Sequence, residues 1–166
     1  MRLKLQPAEV EDAEAIAALR NAVSDDLARP HGHGFWFGRC TARGIRSAMR
    51  KGNLYVARRG GRIVATLNLL TKKPWAIKRK YFTPVARPLY LVSMVVAPEL
   101  QGQGLGRICL AEAVKIARRA KADAIRLDAY DHPAAGAGPF YAKCGCRETG
   151  RVRHRGVPLI YFEYLL

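Results

Sequence analysis

Glycines 102, 104 and 106 stand in the run Gln101-Gly-Gln-Gly-Leu-Gly106, between an apolar stretch and an amphipathic one. A strand-to-helix turn of this composition gathers several backbone N–H groups at a helix N-terminus and lets the main chain approach a ligand closely. That is the chemistry of an anion site, and of a phosphate above all. Any tight strand-to-helix connection can also carry glycines, so the surrounding pattern has to decide. A P-loop ends in Gly-Lys-Ser/Thr, whereas here Gly106 is followed by Arg107 and Ile108. A dinucleotide fingerprint counted from Gly102 needs a glycine at 107 and meets Arg107 instead. What remains is a Gln-x-x-Gly-x-Gly pattern at Gln101, Gly104 and Gly106, preceded by Val96-Ala-Pro-Glu.

The elements that must position this turn are legible from periodicity. Leu89 to Val96 is an unbroken apolar strand, Gly104 to Lys121 a long helix, and Ala124 to Tyr130 another strand. Strand, helix, strand in that order implies parallel neighbours joined by a right-handed crossover. Within the helix, Leu105, Ile108, Cys109, Ala113, Ile116, Ala117 and Ala120 make the expected buried stripe. Upstream, Arg2 to Gln6 reads as a short strand closed by Pro7, and Ala8 to Val23 as a helix with acidic residues at its positive end. Residues 29–38 read as a loop rich in turn formers and aromatics. Thr41 to Arg50 follows as a helix, and Asn53 to Arg58 with Arg62 to Leu70 as a hairpin turned at Gly60-Gly61. Residues 71–88 carry three prolines and a cationic run and read as a long surface excursion. Pro133 to Cys144 gives a short helix, then Arg147 to Arg155 and Val157 to Leu165 a final strand pair turned at Gly156.

Charge adds a second constraint. The 166 residues carry a formal net charge of +16, and between Asp26 and Glu99 there is no acidic residue. A field of one sign concentrates anions, although a solvated basic face accounts for the same composition. The length suits one domain spanning 1–166, no apolar run approaches the roughly 18 to 20 residues of a membrane span, and the first residues lack a signal-peptide pattern. A cytoplasmic protein without membrane partners is expected. Cys40, Cys109, Cys144 and Cys146 read as buried thiols, since Cys144-Gly-Cys146 is too closely spaced for a zinc knuckle and has no matching pair; no metal is expected.

The run from Val95 to Arg107, Val-Val-Ala-Pro-Glu-Leu-Gln-Gly-Gln-Gly-Leu-Gly-Arg, closely resembles the acetyl-CoA-binding motif of the GNAT superfamily of N-acetyltransferases, and the element order from Arg2 to Leu165 is similar to that fold. The resemblance implies an α/β (α+β) three-layer fold, with a central mixed, twisted sheet of about seven strands flanked by about four helices. It implies an acetyl-CoA-dependent N-acetyltransferase that moves the acetyl group to a primary amine by direct attack in a ternary complex. Acetyl-CoA is then a co-substrate whose pantetheine arm pairs with the main chain of Met94, Val95 and Val96. Its pyrophosphate rests on Gln101, Gly102, Gln103, Gly104, Leu105, Gly106 and Arg107. Phe140-Tyr141-Ala-Lys-Cys-Gly145 is similar to the family's Phe-Tyr-x-x-x-Gly motif, which makes Tyr141 the acid that protonates the departing thiolate. Asp128, in Arg126-Leu-Asp-Ala, matches the place where some relatives carry a catalytic carboxylate, and it could equally pair with Arg126 or cap a turn; Ser93 is a lesser candidate for positioning water. Two departures touch the cofactor contacts: Pro133 stands near where many relatives have Asn, and Cys146 replaces the usual aromatic.

In this fold the acceptor usually enters beside the first helices and the segments flanking the central strands, which here are the acid-free regions. An acceptor carrying negative charge follows, with His31, His33, Phe35, Trp36 and Phe37 as candidate acceptor-loop residues. Relatives are often homodimers. The competing reading is a GNAT-like module without catalysis that binds nucleic acid through its basic 27–98 region, Lys72, Lys73, Lys78, Arg79 and Lys80 meeting phosphates and Trp75, Tyr81 and Phe82 stacking on bases.

Overall fold

The computed structural model describes residues 3–32 and 38–166. The seven strands β1 (Leu5–Pro7), β2 (Asn53–Arg59), β3 (Arg62–Leu70), β4 (Pro88–Val96), β5 (Ala124–Tyr130), β6 (Arg147–His154) and β7 (Val157–Leu165) form one sheet in the order β1-β2-β3-β4-β5-β7-β6. The helices are α1 (Ala13–His31), α2 (Ala42–Lys51), α3 (Leu105–Arg119) and α4 (Gly138–Lys143). The sheet is mixed, since β4 and β5 run parallel while β1-β2, β2-β3, β5-β7 and β6-β7 are antiparallel. This is the expected α/β arrangement. The chain divides into two compact units, residues 1–69 with 93–113 and residues 70–92 with 114–166.

In the first unit Thr41 caps α2 by accepting a hydrogen bond from Gly44 N at 3.1 Å. Asp12 accepts from Glu9 N and is held by the Arg58 guanidinium at 2.7 Å, which fixes the entry to α1. Burial would raise the Asp12 carboxyl, but Arg58 and the Glu9 amide outweigh it and hold the group below its ordinary range. The core of this unit joins Ile16, Leu19 and Val23 of α1, Ile45 of α2, Leu54 and Val56 of β2, and Val95 of β4. Helix α1 continues eight residues beyond the expected Val23, through Pro30, so the expected loop begins only after His31. His33, Phe35, Trp36 and Phe37 of that loop lie outside the described residues.

In the second unit, residues 71–87 run over the surface as expected, but two of them anchor the segment in the core. Ile77 and Phe82 are buried and form a core with Tyr90 of β4 and Tyr161 of β7. Tyr81 lies so close over β6 that a Cβ at Gly150 would meet its ring at 2.4 Å. Alternation hid this arrangement, because one buried aromatic in a cationic, proline-rich run makes no periodic pattern. Helix α3 also buries a different stripe from the one expected. Leu110 and Val114 join Leu105, Cys109, Ala113 and Ala117, while Ile108 is 41% exposed and Ala120 is exposed. Of the thiols, Cys109 and Cys146 are buried, whereas Cys40 and Cys144 are half-buried and all four are free.

Candidate active site

The first unit holds the glycine turn. After β4 ends at Val96, a short 3-10 turn over Pro98–Leu100 leads to residues 101–104 and then into α3. Gly102 and Gly104 have φ of 74° and 81°, a left-handed conformation that costs other residues about 1–2 kcal/mol. A Cβ at either position would meet no protein atom within 4 Å, so glycine is needed there for the backbone path, and the surface over it is open. The flanking amides staple the turn: Gln101 Nε2 donates to Val96 O at 3.0 Å and Gln103 Nε2 to Glu99 O at 3.2 Å. These two side chains therefore shape the cradle, leaving main-chain N–H groups to meet a ligand.

Ile108 N donates to Gly104 O at 3.2 Å, and the N–H groups of residues 104–107 precede it at the helix start, where no helical acceptor exists. No acidic residue stands in this first turn, and the exposed Arg107 places a cation at the positive end of the α3 dipole. That combination is unfavourable by itself and becomes favourable once an anion binds. Along β4, Ser93 adopts φ of 53°, which interrupts the extended chain just before Met94, Val95 and Val96. Val95 is buried in the core and its two neighbours are half-buried. The parallel register of β4 with β5 spans Pro88↔Ala124 to Tyr90↔Arg126, leaving residues 91–96 of β4 outside it.

The second unit holds the two candidate proton-transfer groups. Tyr141 lies on α4, which starts with Pro139 in its first turn, and its ring packs against Phe140 and Phe162 at centroid distances of 5.1 and 5.9 Å. The residue is 8% exposed. Burial, followed by the neighbouring Cys146, Asp128 and Cys144, pushes the phenol well above its ordinary value, so it stays protonated. Asp128 lies on β5 opposite Tyr161 of β7 and is half-buried. Burial raises its carboxyl, its own backbone amide and His154 offsetting only part of that.

The alternative partner for Asp128 is ruled out by where Arg126 points. Arg126 donates to Thr83 O at 2.6 Å and to Tyr90 Oη at 3.4 Å, and it stacks over Phe82 at 5.1 Å. Asp128 is thus an acid without an ion pair among the described residues, and its charge is one of the influences that raise the Tyr141 phenol.

Two features escaped the sequence reading. Arg20 of α1 is 6% exposed and donates to Asn68 Oδ1 at 2.7 Å; its Nε is buried without a partner, and burial lowers its pKa. Its position one helical turn beyond Ile16, inside the apolar stripe, was a signal available in the sequence. The other is a network around Thr83, which donates from N and Oγ1 to the two oxygens of Glu163, while Arg147 also bonds Glu163. Nothing local joins residues so far apart in the chain.

The basic segment is committed differently from the nucleic-acid reading. Phe82 and Tyr81 pack into the core, and Lys73 Nζ donates to the carbonyls of Pro74 and Ile77 at 2.9 and 2.7 Å. Trp75 alone of the three aromatics is exposed, at 71%, with the Arg155 guanidinium 4.1 Å from its ring centre. Among the described residues no helix is long and apolar enough to cross a membrane, and no His, Cys, Asp and Glu cluster could hold a metal ion.

A seven-stranded mixed sheet with four helices and a glycine turn at the start of α3 makes this an α/β protein with an open turn suited to an anion. The model of the Acetyltransferase (GNAT) family matches residues 17–146. The chain belongs to that family and is an acetyltransferase. No curated protein matches it in sequence. Among solved structures it is similar to an N-acetyltransferase from Staphylococcus aureus Mu50, with 14% identity and a TM-score of 0.74, 99% of each chain being covered. A ribosomal-protein-alanine N-acetyltransferase from Brucella melitensis matches at 20% identity and a TM-score of 0.71, over 98% of this chain and 99% of that one. A Salmonella typhimurium protein named as an acetyltransferase, with its cofactor acetyl-CoA, matches at 17% identity and a TM-score of 0.70, over 100% and 95% of the two chains.

Proposed function

We propose that this acetyltransferase moves an acetyl group from acetyl-CoA to a primary amine by direct attack in a ternary complex, within a single domain, and that the acceptor also carries negative charge. The observation that carries the cofactor half is the positive-φ turn at Gly102 and Gly104, opening onto an α3 N-terminus with a cation and no acid. The N–H groups of residues 102–107 cradle the pyrophosphate, and the main chain of Met94 to Val96 pairs with the pantetheine arm. The acetyl-CoA-bound Salmonella relative supports the same donor.

For the chemistry, the acceptor nitrogen forms a bond to the thioester carbonyl carbon and the carbon–sulfur bond breaks. The proton lost by nitrogen passes to Asp128, directly or through water, and Tyr141 supplies a proton to the sulfur. A phenol held above its ordinary pKa remains a donor throughout the working range, and its hydrogen bond strengthens as charge develops on sulfur. On the acceptor side, the absence of any acid from 27 to 98 removes the usual counter-ions of a polycation. Arg20 adds a buried cation that donates to the side-chain amide oxygen of Asn68.

A thioester-consumption screen over a panel of amines tests the reading. Anionic amines, such as amino acids with a free carboxylate or phosphorylated amines, should be acetylated; a hit restricted to polyamines overturns the charge argument. In the same assay Gly104→Val should weaken acetyl-CoA binding, and unchanged affinity would remove the turn as the cradle.

A further inference from the structure

Residues 71–90 of the second unit line, with Arg126 of β5, an open-mouthed pocket of about 550 Å³ that neither the glycine turn, Tyr141 nor Asp128 lines. Its polar lining is Thr71, Arg79, Lys80, Tyr90 and Arg126, with no carboxylate among the lining residues. The rest is apolar, Phe82 and the prolines around Val85 forming one wall. The volume is that of a small-molecule site, and the lining has the usual mixture of apolar walls and a few convergent polar groups.

Arg126 is the feature that needs an explanation. It is 4% exposed, yet no carboxylate lies in ion-pair contact with it among the described residues. Thr83 O and the long bond to Tyr90 Oη occupy only part of its five-donor fork, and Nε is buried with no partner. The acid opposite it in the β5-β7 register is Glu163, whose oxygens are already taken by Thr83 N, Thr83 Oγ1 and Arg147. Those contacts hold Glu163 below the ordinary carboxyl range against the opposing effect of burial. A buried guanidinium without its own counter-ion is costly, and here it borders a cavity whose other charged lining groups are also cations. Arg79 and Lys80 are exposed, so they can close over a ligand from the outer side.

We infer that this cavity is a binding site for a small organic anion, with a carboxylate or phosphate head anchored on Arg126 and covered by Arg79 and Lys80, and a compact apolar body against Phe82 and the prolines. Guanidinium forks match the geometry of both head groups. The site does not depend on acetyl transfer, and its test reads binding alone.

The test titrates the whole protein with phenyl phosphate and separately with benzoate, at low salt, following amide and arginine Nε–Hε NMR signals. Saturable shifts should appear at Thr71, residues 79–90 and Arg126. The double variant Arg79→Ala/Lys80→Ala, altered only at exposed positions, should weaken affinity by about tenfold or more. Arg126→Gln should abolish it, and Arg126→Lys should restore part of it in a protein whose remaining spectrum shows that it is folded. Tighter binding of phenyl phosphate assigns the head as phosphate, and tighter binding of benzoate as carboxylate. Shifts reproduced by potassium chloride at matched ionic strength, or affinity unchanged in the double variant, would overturn the assignment.

Discussion

Tyr141 and Asp128 differ in what their surroundings ask of them. The Tyr141 ring is held by Phe140 and Phe162, so Tyr141→Phe keeps the packing and removes only the hydroxyl. Turnover should fall by about 10²-fold with acetyl-CoA affinity nearly intact, as steady-state kinetics beside a direct binding titration would show. Equal turnover would remove Tyr141 as the acid. For Asp128 the folded carboxyl is raised, so its ionised form is the disfavoured one. Its stabilising contribution is present below the unfolded value near 3.9 and is lost as pH rises through the folded value. Asp128→Asn should therefore be more stable than the parent in urea melts at pH 7, with the advantage shrinking toward about pH 4. The same variant should lose about 10²-fold in turnover, and a variant that gained stability without losing activity would show Asp128 to be a bystander. The two residues were legible as candidates through motif resemblance. The electrostatic setting of Asp128 was not, because His154 and Tyr161 come near it only through the folded sheet.

At the scale of elements, the strands and the glycine turn were readable because apolar runs and local backbone chemistry dictate them. Residues 124–130 and 157–165 form strands with the expected limits, and the turn at Gly60-Gly61 has positive φ at both residues, as a two-residue hairpin demands. Helix α4 is shorter than expected, beginning at Gly138 after a run of turns, since the small residues from Ala134 to Gly136 supply no apolar periodicity. The segment 71–87 was legible as a surface stretch but not in its two buried anchors. Its charge and prolines spoke for solvent, yet Phe82 and Ile77 complete a core, Tyr161 Oη bonds Ala76 O, and Arg87 N donates to Asp123 Oδ2 at 2.7 Å. Phe82→Ala should accordingly destabilise the protein by about 3–5 kcal/mol in chemical denaturation, the range of buried aromatic truncations. A loss below about 1 kcal/mol, as at surface sites, would return the segment to the role of an unanchored excursion.

At the scale of the whole molecule, the net charge of +16 is a property that any reading of the sequence finds, and its consequence depends on where the charges are spent. Arg58, Arg62, Arg147 and Arg151 are engaged by Asp12, Glu99, Glu163, Asp131 and Glu148, so part of the excess is neutralised locally. The remainder acts as a long-range field. An anionic co-substrate should be captured faster than a neutral one of the same size, and the advantage should be screened over a Debye length of about 8 Å at physiological salt. Stopped-flow binding of acetyl-CoA between about 10 and 150 mM salt should show an association rate that falls several-fold, with a dissociation rate that changes much less. A nucleic-acid module behaves differently, because each neutralised phosphate releases a counter-ion and the affinity falls as a power of salt concentration. With Tyr81 and Phe82 packed in the core, single-stranded nucleic acid loses two of its three candidate stacking partners here. Its binding should then be purely electrostatic and unchanged by Trp75→Ala. A strong loss on that substitution, with no acetylation of any amine, would favour the binding module over the enzyme.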